Sequence, residues 1–195
     1  TTMDDAWRPD SVWLHEVGTD ATADVRLFHE PDERYWVGAG FTRSEHYLVI
    51  DVGSSITTEE YLVPASDLRQ EPRSIWPRRE GVEYSATHAA VDGDDVLYIV
   101  HNDGALASEP VRLSPDDTSS PRTVVAAHQP GRRLLDVSAF RDWAVVSYRR
   151  EGLARLGILS YDTGAIRERD FDGELYAAGA GGNPEWAPPV VRLGY

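Results

Sequence analysis

The residues of this chain that could do chemistry are histidines next to carboxylates. His15 and His29 are each followed by a glutamate, and an imidazole beside a carboxylate can bind a metal ion or transfer a proton. Both pairs lie in or near segments of strand character, where neighbouring side chains point to opposite faces of a sheet. Neither pair can therefore act on one ligand, so we predict no metal site and expect structural or solvent-exposed histidines.

Other signals for catalysis or cofactor binding are missing from the sequence. Residues 53–56 (GSSI) lack the second glycine of a G-x-S-x-G nucleophile elbow, and a chain without lysine cannot carry the phosphate-binding G-x-x-x-x-G-K motif. The glycine-rich residues 179–182 lead into Asn183 and Pro184 rather than into a helix, which disfavours dinucleotide binding. The chain has no cysteine for a disulfide or a thiolate. We predict no catalytic residue, no metal and no cofactor in this chain.

The charge balance restricts the partners. All 19 basic residues are arginine, against 33 acidic residues, and the formal net charge is −14. This excess argues against nucleic-acid binding and permits attraction of cationic ligands, although acidity for solubility alone also explains it. The sequence has no run of 18 apolar residues, and it opens without the basic and apolar segments of a signal peptide. We expect no membrane contact and a cytoplasmic location.

The elements that must position these residues repeat along the chain. Four apolar segments begin at residues 47, 96, 143 and 190 (YLVI, VLYI, WAVV and VVRL), at intervals of 49, 47 and 47 residues. Short strands with a period of about 40–50 residues are typical of a β-propeller, in which each period is one four-stranded blade. No segment shows sustained helical periodicity, so the predicted fold class is all-β.

Three further strands recur in each period, all short and rich in β-branched and aromatic residues. One precedes each apolar segment, at 35–37, 82–84, 134–137 and 175–177. Another follows at 60–63, 111–113 and 155–158, with a counterpart at 12–15. The last lies at 25–28, 74–76, 123–125 and 166–168.

The strand that opens each period ends in small residues, at 38–40, 85–87, 138–139 and 177–179. Innermost strands of a propeller converge on its axis, where crowding favours small side chains; a bulge or loop end explains any single case equally well. Glu83, His88 and Asp136 lie on these strands and are candidates for lining a central channel, where negative charge would suit basic peptides.

Each candidate also has a structural alternative. For His88 the alternative is a hydrogen-bonded structural histidine. For the two carboxylates it is a salt bridge to a neighbouring arginine such as Arg132 or Arg133. His101 precedes the turn residues 102–104 and is equally open to either interpretation.

Counting strands against the repeat predicts a single domain over 1–195 with about three complete four-stranded antiparallel blades, at 35–78, 82–128 and 133–171. Partial blades are predicted at 1–30 and 173–195. Three blades cannot close a seven-bladed ring, so we expect a partial propeller from a longer chain. Open strand edges favour edge-to-edge self-association.

The motifs taken in order resemble the propeller of the oligopeptidase B branch of the prolyl oligopeptidase family. They cover nearly the whole chain, and their order and spacing carry the resemblance more than any one motif. The matching segments are 8–9 with 12–19 (RP, VWLHEVGT), 28–32 (FHEPD), 42–44 ahead of 47–50 (TRS, YLVI), 58–60 (TEE), 78–88 (RREGVEYSATH), 102–105 (NDGA), 148–153 (YRREGL), 184–186 (PEW) and 191–195 (VRLGY).

The resemblance implies a serine peptidase of two domains. A seven-bladed N-terminal propeller covers an α/β-hydrolase domain with a Ser-Asp-His triad, and such enzymes cleave short peptides after Arg or Lys while the propeller excludes folded proteins. The triad motifs do not occur in this sequence, so no catalytic residue is carried over and we expect the chain to be inactive alone. The implied partners are the hydrolase domain of the parent chain and, through it, short basic peptides.

Two functions from different classes therefore follow. The first is a non-catalytic propeller segment of such a peptidase, which gates access to the active site. The alternative is a stand-alone module that binds a protein or peptide, although a natural repeat module is expected to begin and end on whole blades or caps.

Overall fold

The computed structural model describes residues 1–104, 109–119, 123–124, 131–172 and 176–195. Within these residues the chain is all-β, as predicted, with antiparallel sheets and one short 3-10 helix at Ala21–Ala23. None of the described helical segments is long and apolar enough to cross a membrane.

The described strands form five sheets, each built from consecutive strands. The first contains β1 (Thr2–Met3), β2 (Pro9–Leu14) and β3 (Val25–His29), and the second contains β4 (Trp36–Phe41), β5 (Tyr47–Gly53), β6 (Thr58–Pro64) and β7 (Arg73–Ser74). The third contains β8 (Tyr84–Val91), β9 (Asp94–His101), β10 (Glu109–Leu113) and β11 (Thr123–Val124). The fourth contains β12 (Arg132–Ala139), β13 (Trp143–Arg150), β14 (Leu153–Ser160) and β15 (Ile166–Arg169), and the last pairs β16 (Gly179–Ala180) with β17 (Leu193–Gly194).

Two tight hairpins set the register of the third and fourth sheets. Asp92 and Gly93 join β8 to β9 with φ values of 55° and 87°, and Glu151 and Gly152 join β13 to β14 with φ values of 54° and 81°. Two consecutive positive φ values define the type I′ turn, whose twist matches that of the flanking strands. Asp-Gly is one of the residue pairs that this turn favours most, whereas Glu-Gly is not.

The strand pattern follows the repeat with three local differences. The last strand of the second sheet covers Arg73–Ser74 rather than 74–76, although Ile75 and Trp76 are buried. The strand expected at 190–193 is reduced to Leu193–Gly194, and the backbone N–H of Arg192 donates to Oδ1 of Asn183 over 2.7 Å instead of to a strand. Tyr176 and Ala177 are not in a strand. Of the predicted segments, residues 105, 120–121, 125–128 and 173–175 lie outside the described residues.

The chain consists of two compact units, Thr1–Glu83 and Tyr84–Tyr195. The strands of the three four-stranded sheets lie within 36–74, 84–124 and 132–169, and the blade boundaries given from sequence stay predictions. The prediction of one domain over 1–195 stays a prediction.

Each unit has its own apolar core between its sheets. In Thr1–Glu83, the first and second sheets bury a cluster of Val12, Tyr35, Val37, Leu48, Ile50, Val52 and Val63. In Tyr84–Tyr195, the third and fourth sheets bury Ala89, Val91, Val96, Tyr98, Val100, Leu134, Val137, Ala139, Ala144, Val146, Tyr148 and Leu159. A second cluster in that unit, centred on Phe140, Val145 and Leu156, packs against the segment that carries β16 and β17.

Candidate functional site

The opening strand of each four-stranded sheet is an edge strand. The strand orders place β4, β8 and β12 at one end of their sheets, paired only with β5, β9 and β13. This is the position that the predicted innermost strands must have. β12 differs from the other two because its register shifts between Leu134 and Asp136, which leaves Leu135 as an extra, exposed residue.

His88 is a buried residue of β8. Its Nε2 lies 3.0 Å from Oδ1 of Asp95, a neighbour on β9, and the His88 side chain is 0% exposed. The imidazole also stacks on the Trp186 ring, with centroids 6.2 Å apart and planes inclined by 23°. These contacts describe a hydrogen-bonded structural histidine, the alternative that the sequence left open.

The two candidate carboxylates have different surroundings. Glu83 is exposed and directly precedes β8 rather than lying on it. Asp136 is half-buried on β12, and its Oδ2 accepts a hydrogen bond of 2.8 Å from the Ser138 hydroxyl. The side chain of Arg132, one of its two expected partners, lies outside the described part of the chain. The lining of a channel by Glu83, His88 and Asp136 stays a prediction.

The remaining histidines that drew attention have separate partners. His15 Nδ1 lies 2.7 Å from Asp24 Oδ1, and His29 Nδ1 lies 3.0 Å from the Ser11 hydroxyl. His101 ends β9, where its Nδ1 accepts a hydrogen bond of 3.2 Å from the backbone N–H of Asp103 in the turn.

The strongest side-chain cluster of the first unit was not predicted from sequence. The guanidinium of Arg78 donates to Glu30 and, over 2.7 Å, to Oε2 of Glu59, and it covers the Tyr35 ring at 4.2 Å from the centroid. The side chains of Glu30 and Glu59 are only 5% and 8% exposed. One cation therefore balances two buried carboxylates.

Both carboxylates of this cluster are saturated by donors. The second oxygen of Glu59 accepts from the Ser74 hydroxyl over 2.8 Å, and that of Glu30 accepts from the Asp32 backbone N–H over 2.9 Å. Carboxylates with both oxygens occupied are poorly placed to take a proton from a substrate, so the cluster fits a structural role.

The cluster shifts the titration of its members. Burial lowers the pKa of Arg78, but hydrogen bonds to Glu30, Glu59 and Tyr61 outweigh burial and raise the pKa overall. Burial raises the pKa of the Tyr61 phenol, against a hydrogen bond from Arg78 that lowers it. At the rim, hydrogen bonds from the side chain and backbone of Arg34 lower the pKa of Asp32 to about 2.

A second arginine fastens the first sheet to the second. The buried guanidinium of Arg8 donates to three backbone carbonyl groups, those of Tyr35 (2.7 Å), Asp32 (3.1 Å) and Glu30 (3.3 Å). Its Nε also donates to Asp4 over 2.8 Å. The motif Arg8-Pro9, quoted above for the resemblance, therefore has a structural role.

Among the clefts lined by described residues, two have volumes near 360–370 Å³. A cleft of about 370 Å³ in the second unit is lined by Asp94, Asp95, Val96, Arg112, Leu113, Ser114, Asp116 and Thr123. One of about 360 Å³ in the first unit is lined by Arg34, Tyr35, Ser54, Ser55, Ile56, Thr57 and Glu80. Among these lining residues no serine has a histidine beside it, so neither lining supplies a nucleophile with its base.

The repeated four-stranded antiparallel sheets, each with its opening strand at one edge, define a propeller domain. Residues 1–187 match the family model described as the N-terminal β-propeller domain of prolyl oligopeptidase, and the chain belongs to this family. Its sequence is similar to Protease 2 of Moraxella lacunata (27% identity; 90% of this chain and 24% of that protein). It is also similar to dipeptidyl aminopeptidase BI of Pseudoxanthomonas mexicana (28% identity; 94% and 25%).

Solved structures agree with this assignment. Oligopeptidase B from Trypanosoma brucei, in a closed form with covalently bound antipain, matches with a TM-score of 0.86 and 25% identity, over 98% of this chain and 28% of that one. The fold of oligopeptidase B from Leishmania major is equally close, with a TM-score of 0.86, 22% identity and the same coverage. The chain thus spans about a quarter of the length of these relatives, and it matches a segment of a protease 2-type propeller.

Proposed function

We propose that this chain is a non-catalytic segment of the propeller of an oligopeptidase B-like serine peptidase. The parent hydrolyses short peptides after Arg or Lys in an α/β-hydrolase domain, and the propeller packs on that domain and limits which substrates reach it. The observation that carries this proposal is the match to oligopeptidase B over 98% of this chain but only 28% of the larger enzyme.

The side-chain chemistry of the chain supports a non-catalytic role for the propeller, with catalysis in the hydrolase domain. In the ion cluster of Arg78 both carboxylates have their oxygens occupied by donors within the chain, so this cluster serves the fold. The net charge of −14 favours the approach of cationic peptides by long-range steering. The absence of cysteine is compatible with the proposed cytoplasmic location.

A peptidase assay tests this function. The parent enzyme should turn over an arginyl reporter peptide but not the same peptide with Ala in place of Arg, and the 195-residue chain alone should turn over neither. Turnover by the chain alone, blocked by a serine-directed inhibitor, would contradict a non-catalytic role. A parent that cleaves folded proteins as fast as short peptides would contradict gating.

Self-association through strand edges is part of the same proposal. The sheet of β16 and β17 has two strands among the described residues, and the first sheet has three, so both present unpaired backbone groups. We expect dimers or larger species of the isolated chain in size-exclusion chromatography with light scattering. A monomer with one cooperative melting transition would instead favour a stand-alone binding module.

A further inference from the structure

The exposed face of β4 carries an aromatic residue next to a carboxylate. The register pairs Trp36 with Gly53 and Gly38 with Asp51, so Trp36 and Asp51 are diagonal neighbours on one face of the sheet. Such neighbours lie about 7–8 Å apart, within reach of aromatic and long side chains. The Trp36 side chain is 59% exposed even though it belongs to a strand.

Gly38 provides the space that holds the carboxylate in place. A Cβ atom added to Gly38 would overlap the carboxyl group of Asp51, with Oδ1 only 2.7 Å away. The side chain of Asp51 therefore folds across the strand towards the free edge of the sheet. Asp51 is exposed, and no described residue offers its carboxylate a hydrogen-bond donor or a cation.

A cation–π contact at an exposed indole already occurs elsewhere in this unit. On the first sheet the Arg26 guanidinium lies over the Trp13 ring, 5.7 Å from its centroid. Trp36 is more exposed than Trp13, which is 40% exposed, and no described guanidinium lies over it. The two indoles thus differ in that one has its cation within the chain.

We infer that Trp36 and Asp51 form a subsite for the guanidinium or ammonium group of an Arg or Lys side chain in a short peptide. The cation would lie against the indole face and pair with the Asp51 carboxylate, since the two attractions act on the same charge. This inference deepens the proposed function and rests on it for the peptide as the natural source of the cation. Binding itself is a property of this chain and does not need the hydrolase domain.

Indole N–H signals in a ¹⁵N-correlated NMR spectrum of the 195-residue chain provide the test. The chain has six tryptophans, and the signal missing from W36F identifies Trp36. N-acetyl-arginine amide should move the Trp36 signal in a saturable way, and the neutral isostere N-acetyl-citrulline amide should not. D51N should weaken binding by about threefold or more, while D5N, which removes one exposed carboxylate elsewhere in the same unit, should leave it unchanged.

Three results would contradict a cation subsite at Trp36 and Asp51. Equal shifts with arginine and citrulline amides, unchanged affinity in D51N, or no shift at Trp36 in a chain whose spectrum is folded would each overturn the subsite. W13F serves as the matched control for loss of an exposed indole, and it should keep the response at Trp36. A parent enzyme that cleaves arginyl peptides while Trp36 fails to respond would remove the subsite and leave the proposed function intact.

Discussion

The two units of the chain hold their sheets together in different ways. In Thr1–Glu83 an apolar core is joined by buried ions, with Arg78 between Glu30 and Glu59. In Tyr84–Tyr195 the third and fourth sheets meet through aliphatic and aromatic side chains, and the ion pair of Arg150 with Glu168 lies nearer the surface. Buried ions tolerate the loss of one partner poorly, whereas an apolar contact loses stability in proportion to the volume removed.

The largest effect is expected from removing Arg78. We call its cluster with Glu30 and Glu59 the ionic joint of the first unit. Arg78→Met leaves two buried carboxylates without their partner and should cost about 3–5 kcal/mol of the free energy of unfolding. Urea unfolding measures the loss, and hydrogen exchange should rise first in β2–β7. Arg34→Met, which removes the exposed partner of Asp32, is the matched control and should cost much less. A triple variant that adds E30Q and E59Q should regain part of the stability; if it is less stable than R78M alone, uncompensated charge is not the cause.

A smaller loss of stability is expected in the apolar cluster between the third and fourth sheets, which we call the apolar joint of the second unit. Leu159 is 1% exposed in the cluster between the third and fourth sheets, and Leu159→Ala should cost about 2–4 kcal/mol. The loss should be the same at low and high ionic strength, with hydrogen exchange rising first in β8–β15. Leu135→Ala, at the exposed bulge, is the control and should change stability by less than about 0.5 kcal/mol. If the loss of stability in L159A depended on ionic strength, it would contradict a purely apolar joint between the third and fourth sheets.

The smallest effect is expected on the stability of the protein in alkaline solution, where Tyr61 and Tyr98 ionise. Burial is the main cause that raises the pKa of Tyr61 in the first unit and of Tyr98 in the second. A phenol with a raised pKa in the folded state contributes stability below its unfolded pKa of about 10, and that contribution is lost as the pH rises through the folded value. Melting temperatures should therefore fall above about pH 10, and Y98F should flatten this fall at little cost at neutral pH.

Tyr61 differs from Tyr98 because it lies beside the ion cluster of the first unit. Y61F should also flatten the alkaline fall, but at neutral pH it should destabilise the first unit more, because the Tyr61 phenol interacts electrostatically with Arg78 and Glu59. Equal neutral-pH losses in Y61F and Y98F would show that the phenol is not part of the ionic joint.

The strands that sequence predicted best are those that contain a continuous apolar run. The runs at 47–50, 96–99 and 143–146 lie in β5, β9 and β13, which appear where the period places them. The outer strands were predicted less well, because a short edge strand such as Arg73–Ser74 gains little from pairing, and Ile75 and Trp76 are buried outside it. The apolar pattern does not report the Asn183 side chain that accepts the Arg192 N–H, nor the extra residue at Leu135.

The site chemistry was harder to predict than the fold. Arg78 is 48 residues from Glu30 and 19 from Glu59, so no local spacing marks their cluster. The sequence analysis considered a hydrogen bond for His88 but named no partner for it, although Asp95 lies only seven positions away across the β8–β9 hairpin. Pairing this histidine with the carboxylates of the next strand would have found it.

The strict order of the strands has a consequence for how the protein is made. Every hydrogen-bonded strand pair in the described residues joins elements consecutive along the chain, so each sheet occupies one unbroken stretch of sequence. Contacts of this local kind form quickly and do not wait for distant segments. A ribosome that has released residues 1–83 has released all the strands of the first two sheets, together with Arg8, Glu30, Glu59 and Arg78. The first unit can therefore acquire its ladders and its ionic joint during synthesis, before β8 leaves the exit tunnel.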